Sequence, residues 1–275
     1  MSNKSLYFLK LGGSLITDKD NPHTARKKTL FRLSEEIKHA LDDRPEIQLL
    51  IGHGSGSFGH NAAHKHQTRM GVQNPQQWLG FIDVWRQARD LNEIVLESLQ
   101  KAGLPVMSFP PSSSVTATNG KVESWDLNLI TLAIQNRLVP VIYGDVIFDT
   151  KLGGTILSTE ELFFHLALNL HPSRILLAGL ENGVWEDYPL REKMLEEITP
   201  ESIPTILHAI QGSASVDVTG GMADKVAGML KLISEEPQIK ISIFSGMKSG
   251  VLKQAFADLN IGTLIHQGNQ EGQGK

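Results

Sequence analysis

Gly52-His53-Gly54-Ser55-Gly56-Ser57-Phe58-Gly59-His60 is the stretch from which the rest of the chain is read. It follows a short apolar run, Ile47 to Ile51, with the character of a buried strand, and it precedes a segment free of Gly and Pro that can start a helix. A strand feeding a glycine-rich turn and then a helix is a place to hold an anion. The glycines let the backbone approach closely, the amides point outward, and a helix N-terminus carries partial positive charge. Four glycines in the eight residues 52–59 exceed what a plain tight turn needs.

Residues 54–59 also satisfy G-x-G-x-x-G, the dinucleotide fingerprint. That reading needs a following strand with an acidic residue about 20 positions on. Here the region is Gln76-Gln77-Trp78-Leu79, the start of a long helical pattern, and Asp83 lies inside it. A nicotinamide enzyme is therefore set aside. No G-x-x-x-x-G-K-[ST] occurs, so this is not a Walker loop either.

The chain has 275 residues, enough for one large α/β domain or two small ones. Its net charge of -4 does not point to nucleic acid, and the absence of cysteine excludes disulfides, thiolate catalysis and Cys-ligated metal. No signal-peptide pattern or membrane-length apolar run is visible, so the expectation is a cytoplasmic protein with no membrane partner.

Outward from the opening stretch, apolar strands alternate with amphipathic helices. Strands are expected at Leu6–Leu11, Ile47–Ile51, Leu104–Phe109, Val139–Tyr143, Arg174–Ala178, Lys240–Phe244 and Thr263–His266. Helical spacing covers Thr29–Leu41, the segment from Pro75 to about Ala102, Trp125–Asn136, the segment after Ser158, Met222–Ile233 and Val251–Ala257. A hairpin is expected around Asp149–Gly153, and a short helix from about Ser202. Ser112–Glu123 reads as irregular, Gly212–Thr219 as polar and small, and the tail from Gln267 as frayed. The pattern predicts a three-layer αβα sandwich with a mostly parallel central sheet, in one domain. Ligands of such sheets sit outside the C-terminal strand ends. Lys10 with Gly12-Gly13, residues 52–60, and Gly144-Asp145 fall there, and Gly220-Gly221 opens a helix on the same side.

Lysines stand beside several of these glycine turns. Lys10 precedes Gly12-Gly13, Lys19 follows the first loop, and Lys225 lies one helical turn after Gly220-Gly221. Phosphoryl transfer asks for this combination, because its catalysis is mostly positioning and electrostatic stabilisation of charge on phosphoryl oxygens. A lone lysine is more often a solvated surface charge; their joint placement is what counts. His60, His64 and His66 leave three readings open: metal ligand, surface or second-layer histidine, and phosphate binder. H-E-x-x-H fails at Asn61 and Ala62. The stripe Trp78/Phe81/Trp85 is either core or the wall of an apolar pocket, and core is the commoner outcome.

Lys10-Leu11-Gly12-Gly13-Ser14, the 53–60 loop, Gly144-Asp145 and Thr219-Gly220-Gly221-Met222-x-x-Lys225 together resemble the amino acid kinase superfamily. Within it, Ser57-Phe58-Gly59-His60 and Thr17-x-Lys19 are similar to the isopentenyl phosphate kinase family. The motifs run in family order from Leu6 to about Ile265. The resemblance implies an ATP-dependent phosphotransferase that turns isopentenyl monophosphate into the diphosphate. Residues 1–173 would bind the acceptor and 174–266 ATP. Lys10 and Lys225 would hold the ATP phosphates and the migrating group, with Lys19 reaching the γ-phosphate. Gly12, Gly13 and Ser14 would cradle phosphates, with Gly56 and Gly221 also on the nucleotide side. Gly54 and Gly56 would lie between donor and acceptor. Asp145 would orient the lysines, and His60 would bind the acceptor's phosphate. Mg²⁺ would screen the ATP oxygens, no metal would be held by the chain alone, and a homodimer would form.

Three departures bear on the acceptor and the base. Ser55 stands where the family usually has Gly, Ser158-Thr159-Glu160 where it has Ser-Gly-Asp, and Leu180-Glu181-Asn182-Gly183 where Asp is commoner. Thr159 is thus expected to crowd the substrate. The rivals are a kinase of phosphonate or carboxylate acceptors and a non-catalytic nucleotide sensor; retention of Lys10 and Lys225 speaks against the sensor.

Overall fold

A computed structural model of the chain describes residues 5–204, 206 and 221–268. The strands, in order, are β1 (Ser5–Leu11), β2 (Ile47–His53), β3 (Val106–Ser108), β4 (Val115–Thr118), β5 (Lys121–Trp125), β6 (Val139–Tyr143) and β7 (Asp145–Asp149). They continue with β8 (Gly153–Leu157), β9 (Arg174–Gly179), β10 (Val184–Trp185), β11 (Met194–Leu195), β12 (Glu197–Ile198), β13 (Lys240–Ser245) and β14 (Thr263–Ile265). The helices are α1 (Gly13–Ile16), α2 (Lys27–Asp43), α3 (Gly56–His66), α4 (Pro75–Lys101), α5 (Asn128–Gln135), α6 (Thr159–Leu170), α7 (Met222–Glu235) and α8 (Val251–Phe256).

Eight strands form the central sheet in the order β12-β14-β13-β9-β1-β2-β6-β3. Only the β13–β14 pair is antiparallel. β1 is central, with Lys10 in register with Gly52 of β2 and Leu177 of β9. The pleat sends alternate residues to opposite faces. Phe8 packs on the side that holds Phe163, Leu166, Val226 and Ile134, from α5, α6 and α7. Tyr7, Leu9 and Leu11 pack on the side of Leu33, Ile37, Leu91, Val95 and Leu252, from α2, α4 and α8. This is the three-layer sandwich that the alternation predicts. Among the described residues no helix is long and apolar enough to cross a membrane.

Caps and turns set the helix starts. Asn74 caps α4 with Pro75 in the first turn, and Ser158 caps α6 in a box with Glu161. A second sheet, β5-β4-β7-β8, stands beside the first. It corrects the expectation for Ser112–Glu123, which is largely a hairpin. Val115 and Ala117 point inward, and Asn119 and Gly120 turn at positive φ. Asp149 ties that turn to its own by accepting from the N–H groups of Asn119, Gly120, Lys151 and Leu152. The α3 helix begins inside the opening glycine stretch rather than after it. Gly220, the 212–219 segment and all but the start of the helix expected from Ser202 lie outside the described residues.

Candidate active site

The C-terminal ends of β9, β1, β2 and β6 are laced together by their loops. Gly12 donates to Ala178 O (2.8 Å), Gly54 to Leu11 O (3.1 Å) and Gly144 to His53 O (3.2 Å). Glycine is required where the first two loops touch. A Cβ on Gly13 would stand 2.4 Å from Gly56 N, and one on Gly54 would stand 2.9 Å from Gly13 N. Gly13, Ser14 and Ser55 line a cleft of about 1140 Å³, and among the described residues their N–H groups meet no acceptor. A row of unspent donors in a cleft is an anion cradle.

Lys10 and Lys225 reach this cleft from the two halves of the chain. Lys10 shares the face of β1 that carries Phe8, and so points at the start of α6. There its ammonium donates to Glu160 Oε1. Lys225, in the first turn of α7, stands 3.7 Å from the same oxygen. Burial alone would lift the Glu160 carboxyl. Lys10 and then Lys225 outweigh that and hold it down at about 2. Glu160 is therefore ionised at any working pH, is not a base, and fixes two ammonium groups at one point. Lys19 lines the cleft from its exposed rim, and Gly221 caps α7 at its edge.

This replaces the role expected of Asp145. Gly144 follows β6, and the backbone turns away into β7, carrying Asp145 off the cleft and onto a narrow recess beside it that His60 also borders. Its carboxylate accepts from Val146 N (2.9 Å) and Ser112 N (3.2 Å), and burial raises it to about 6. Among the described residues it forms no ion pair. The carboxylate between the lysines is Glu160, which stands where the family usually has the Asp of Ser-Gly-Asp. That motif was the available signal.

Two further residues depart from expectation. Thr159 borders the cleft, but its side chain turns inward and does not crowd it. The hydroxyl donates to His53 O (2.6 Å) and the residue is 1 % exposed. Gly56 does not border the cleft; it sits at φ +49° beneath the loop junction. His60, one turn into α3, borders the cleft and also a narrow recess walled by Ala63, Val84, Ala88 and Ile156. Arg69, which sequence reasoning passed over, borders both; its guanidinium is held by Glu161 (2.8 Å). His165 also borders the cleft, stacked on Trp125, and His64 is exposed on α3 and does not border it. His66 pairs with Asp83 (3.2 Å), and buried His53 stacks on Tyr143 and bonds to Asn92 (3.2 Å). Phe81 is core, with Trp78 packed on its edge.

The model of the "Amino acid kinase family" matches residues 5–245. An isopentenyl phosphate kinase of Methanocaldococcus jannaschii is 35% identical over 269 residues, covering 94% of this chain and 98% of that one. One from Methanothermobacter thermautotrophicus is 30% identical, covering 91% and 94%. A crystal structure of an isopentenyl phosphate kinase superposes with a TM-score of 0.80 at 28% identity, over 94% of this chain and 99% of that one.

Proposed function

The chain belongs to the amino acid kinase family, in its isopentenyl phosphate kinase group, and from that premise we propose that it transfers the γ-phosphoryl group of ATP to isopentenyl phosphate. The observation that carries the reading is the meeting of Lys10 and Lys225 on Glu160 beside the glycine cradle. An acceptor phosphate oxygen forms a bond to the γ-phosphorus as the bond to the β,γ-bridging oxygen breaks, giving ADP and isopentenyl diphosphate. The acceptor oxygen is already anionic, so no base is needed, which suits a site whose central carboxylate is held at about 2. What is needed is charge stabilisation at fixed positions.

Lys10 and Lys225 neutralise the migrating group, with Lys19 at the γ-phosphate. Gly12, Gly13, Ser14 and Gly221 lie along the nucleotide phosphates. Gly54 stands between donor and acceptor, and His60 binds the acceptor's own phosphate. Apart from the Lys10–Lys19 segment at the nucleotide phosphates, the part up to about residue 173 holds the acceptor, and the part from about 174 to 266 holds the rest of ATP. Among the described residues no group of three His, Asp or Glu can hold a metal. On this reading Mg²⁺ enters as part of the ATP complex, and no step is assigned to it. A homodimer is part of the same reading. Leu79 and Ile82 of α4 and Phe148 of β7 are more than half exposed, a face that a second copy would cover.

The test is an ATP-consumption screen over isopentenyl phosphate, dimethylallyl phosphate, longer prenyl phosphates, fosfomycin and acidic amino acids. Turnover highest with isopentenyl phosphate is expected. Preference for fosfomycin or an amino acid would move the chain to a different acceptor, and no turnover at all would favour a sensor.

A further inference from the structure

Thr17 is fully buried beside the cleft, and nothing in the reaction described so far uses it. Its hydroxyl makes two hydrogen bonds, one to each glycine loop. It donates to Gly13 O (2.7 Å), in the loop after Lys10, and accepts from Ser57 N (2.9 Å), in the first turn of α3. Ser55, the residue placed to cap α3, makes no side-chain cap bond, so Thr17 caps the helix from 40 positions away. The same helix carries His60 one turn further on. Gly56 is shaped around this bridge: a Cβ there would stand 2.1 Å from Thr17 Oγ1.

We propose that the Thr17 hydroxyl is a positioning group that holds the donor loop and the acceptor helix at one spacing. A phosphate seated at Gly13 and one seated at His60 are then brought to reacting distance. Neither ligand touches Thr17. Each binds its own loop, and the hydroxyl sets the distance between them. Loss of the bridge therefore acts on transfer rather than on either binding step. A misplacement of about 1 Å costs on the order of 100-fold in rate. The assignment rests on the reading of the cleft as a donor–acceptor site.

Thr17→Val keeps the shape and removes the hydroxyl; Thr17→Ser keeps the hydroxyl; Thr17→Ala serves if valine prevents folding. Turnover is measured with ATP and the best acceptor of the screen, and calorimetry gives the separate dissociation constants of ATP and that acceptor. Valine, or alanine in its place, is expected to lower kcat on the order of 10- to 100-fold with both dissociation constants unchanged, and serine to restore most of it. Wild-type kcat in the hydroxyl-free variant overturns the proposal. So does a parallel weakening of both dissociation constants that serine fails to reverse, which marks a packing residue only. The isopentenyl phosphate reading fails separately, on which acceptor the wild-type protein turns over; no turnover with any acceptor overturns both.

Discussion

Lys10 and Lys225 are distant in sequence and meet on Glu160, so the smallest unit of this site is three residues. Glutamine at 160 keeps the side-chain shape and removes the charge that holds the ammonium groups together. Glu160→Gln is expected to lower kcat by about 100-fold with ATP still bound, a loss comparable to removing one preorganised donor. Steady-state kinetics with nucleotide titration check it. The carboxyl is held at about 2, below its ordinary 4.5. Its contribution is present above 4.5 and lost only as pH falls through 2. Any acid limb in the pH–rate profile should therefore fall near 6, where the acceptor phosphate takes a proton, and Glu160→Asp should leave that limb in place. His60→Ala and His60→Gln are expected to lose most transfer to a monophosphate while ATP binds as before. An unchanged kcat/KM would remove His60 from the acceptor site. The lysines were legible because each stands beside a glycine turn. Glu160 was not, because its role depends on which face of β1 Lys10 occupies and on α6 docking there. The resemblance puts that role on Asp145, which directly follows the end of β6, but one peptide later the chain has turned away into β7.

At the scale of elements, the start of α6 does most to place the charge. Ser158 accepts from Glu161 N (3.2 Å), and Glu161 accepts in return from Ser158 N (2.7 Å). Thr159, between them in sequence, is tied to β2 through His53 O. Ser158→Ala should cost about 1 kcal/mol in urea unfolding. It should also lower kcat, because Glu160 lies in the loosened turn; a stability loss with unchanged kcat would show that the lysines hold Glu160 without the cap. Long apolar runs and helices with three-four spacing could be read without coordinates. The 115–125 hairpin could have been, since Asn119-Gly120 is a hairpin signal. Its inward residues, Val115, Ala117 and Trp125, are split between two short strands with a shift of register between them, so no period registers. The inward turn of Thr159 could not be read, because the acceptor of its hydroxyl is 106 residues away.

For the whole molecule, two buried groups of opposite kind sit behind the site. Burial lowers His53 to about 4 from 6.5 and raises Asp145 to about 6 from 3.8. Between roughly pH 4.5 and 6 the folded state keeps a proton on Asp145 that the unfolded chain has lost, so this group's contribution falls as pH rises. Over the same window the unfolded chain holds a proton on His53 that the fold rejects, so that contribution rises. The slopes, each about 1.4 kcal/mol per pH unit, oppose one another. Asp145→Asn should unmask the histidine, giving a stability that climbs with pH across this window more steeply than in the wild-type protein; equal slopes in urea titrations would place the Asp145 proton elsewhere. The sandwich and the edge bearing the site follow from alternation and glycine placement. The pairing of charges across that edge follows only from the folded sheet. The role proposed for that pairing is to move a phosphoryl group onto a phosphate, and the most direct measurement is the ³¹P NMR spectrum of ATP and isopentenyl phosphate incubated with the protein. The expected result is loss of the monophosphate resonance and growth of two coupled diphosphate resonances as ADP forms. A monophosphate resonance that persists while ATP is intact, or while ATP is merely hydrolysed to ADP and inorganic phosphate, would contradict it.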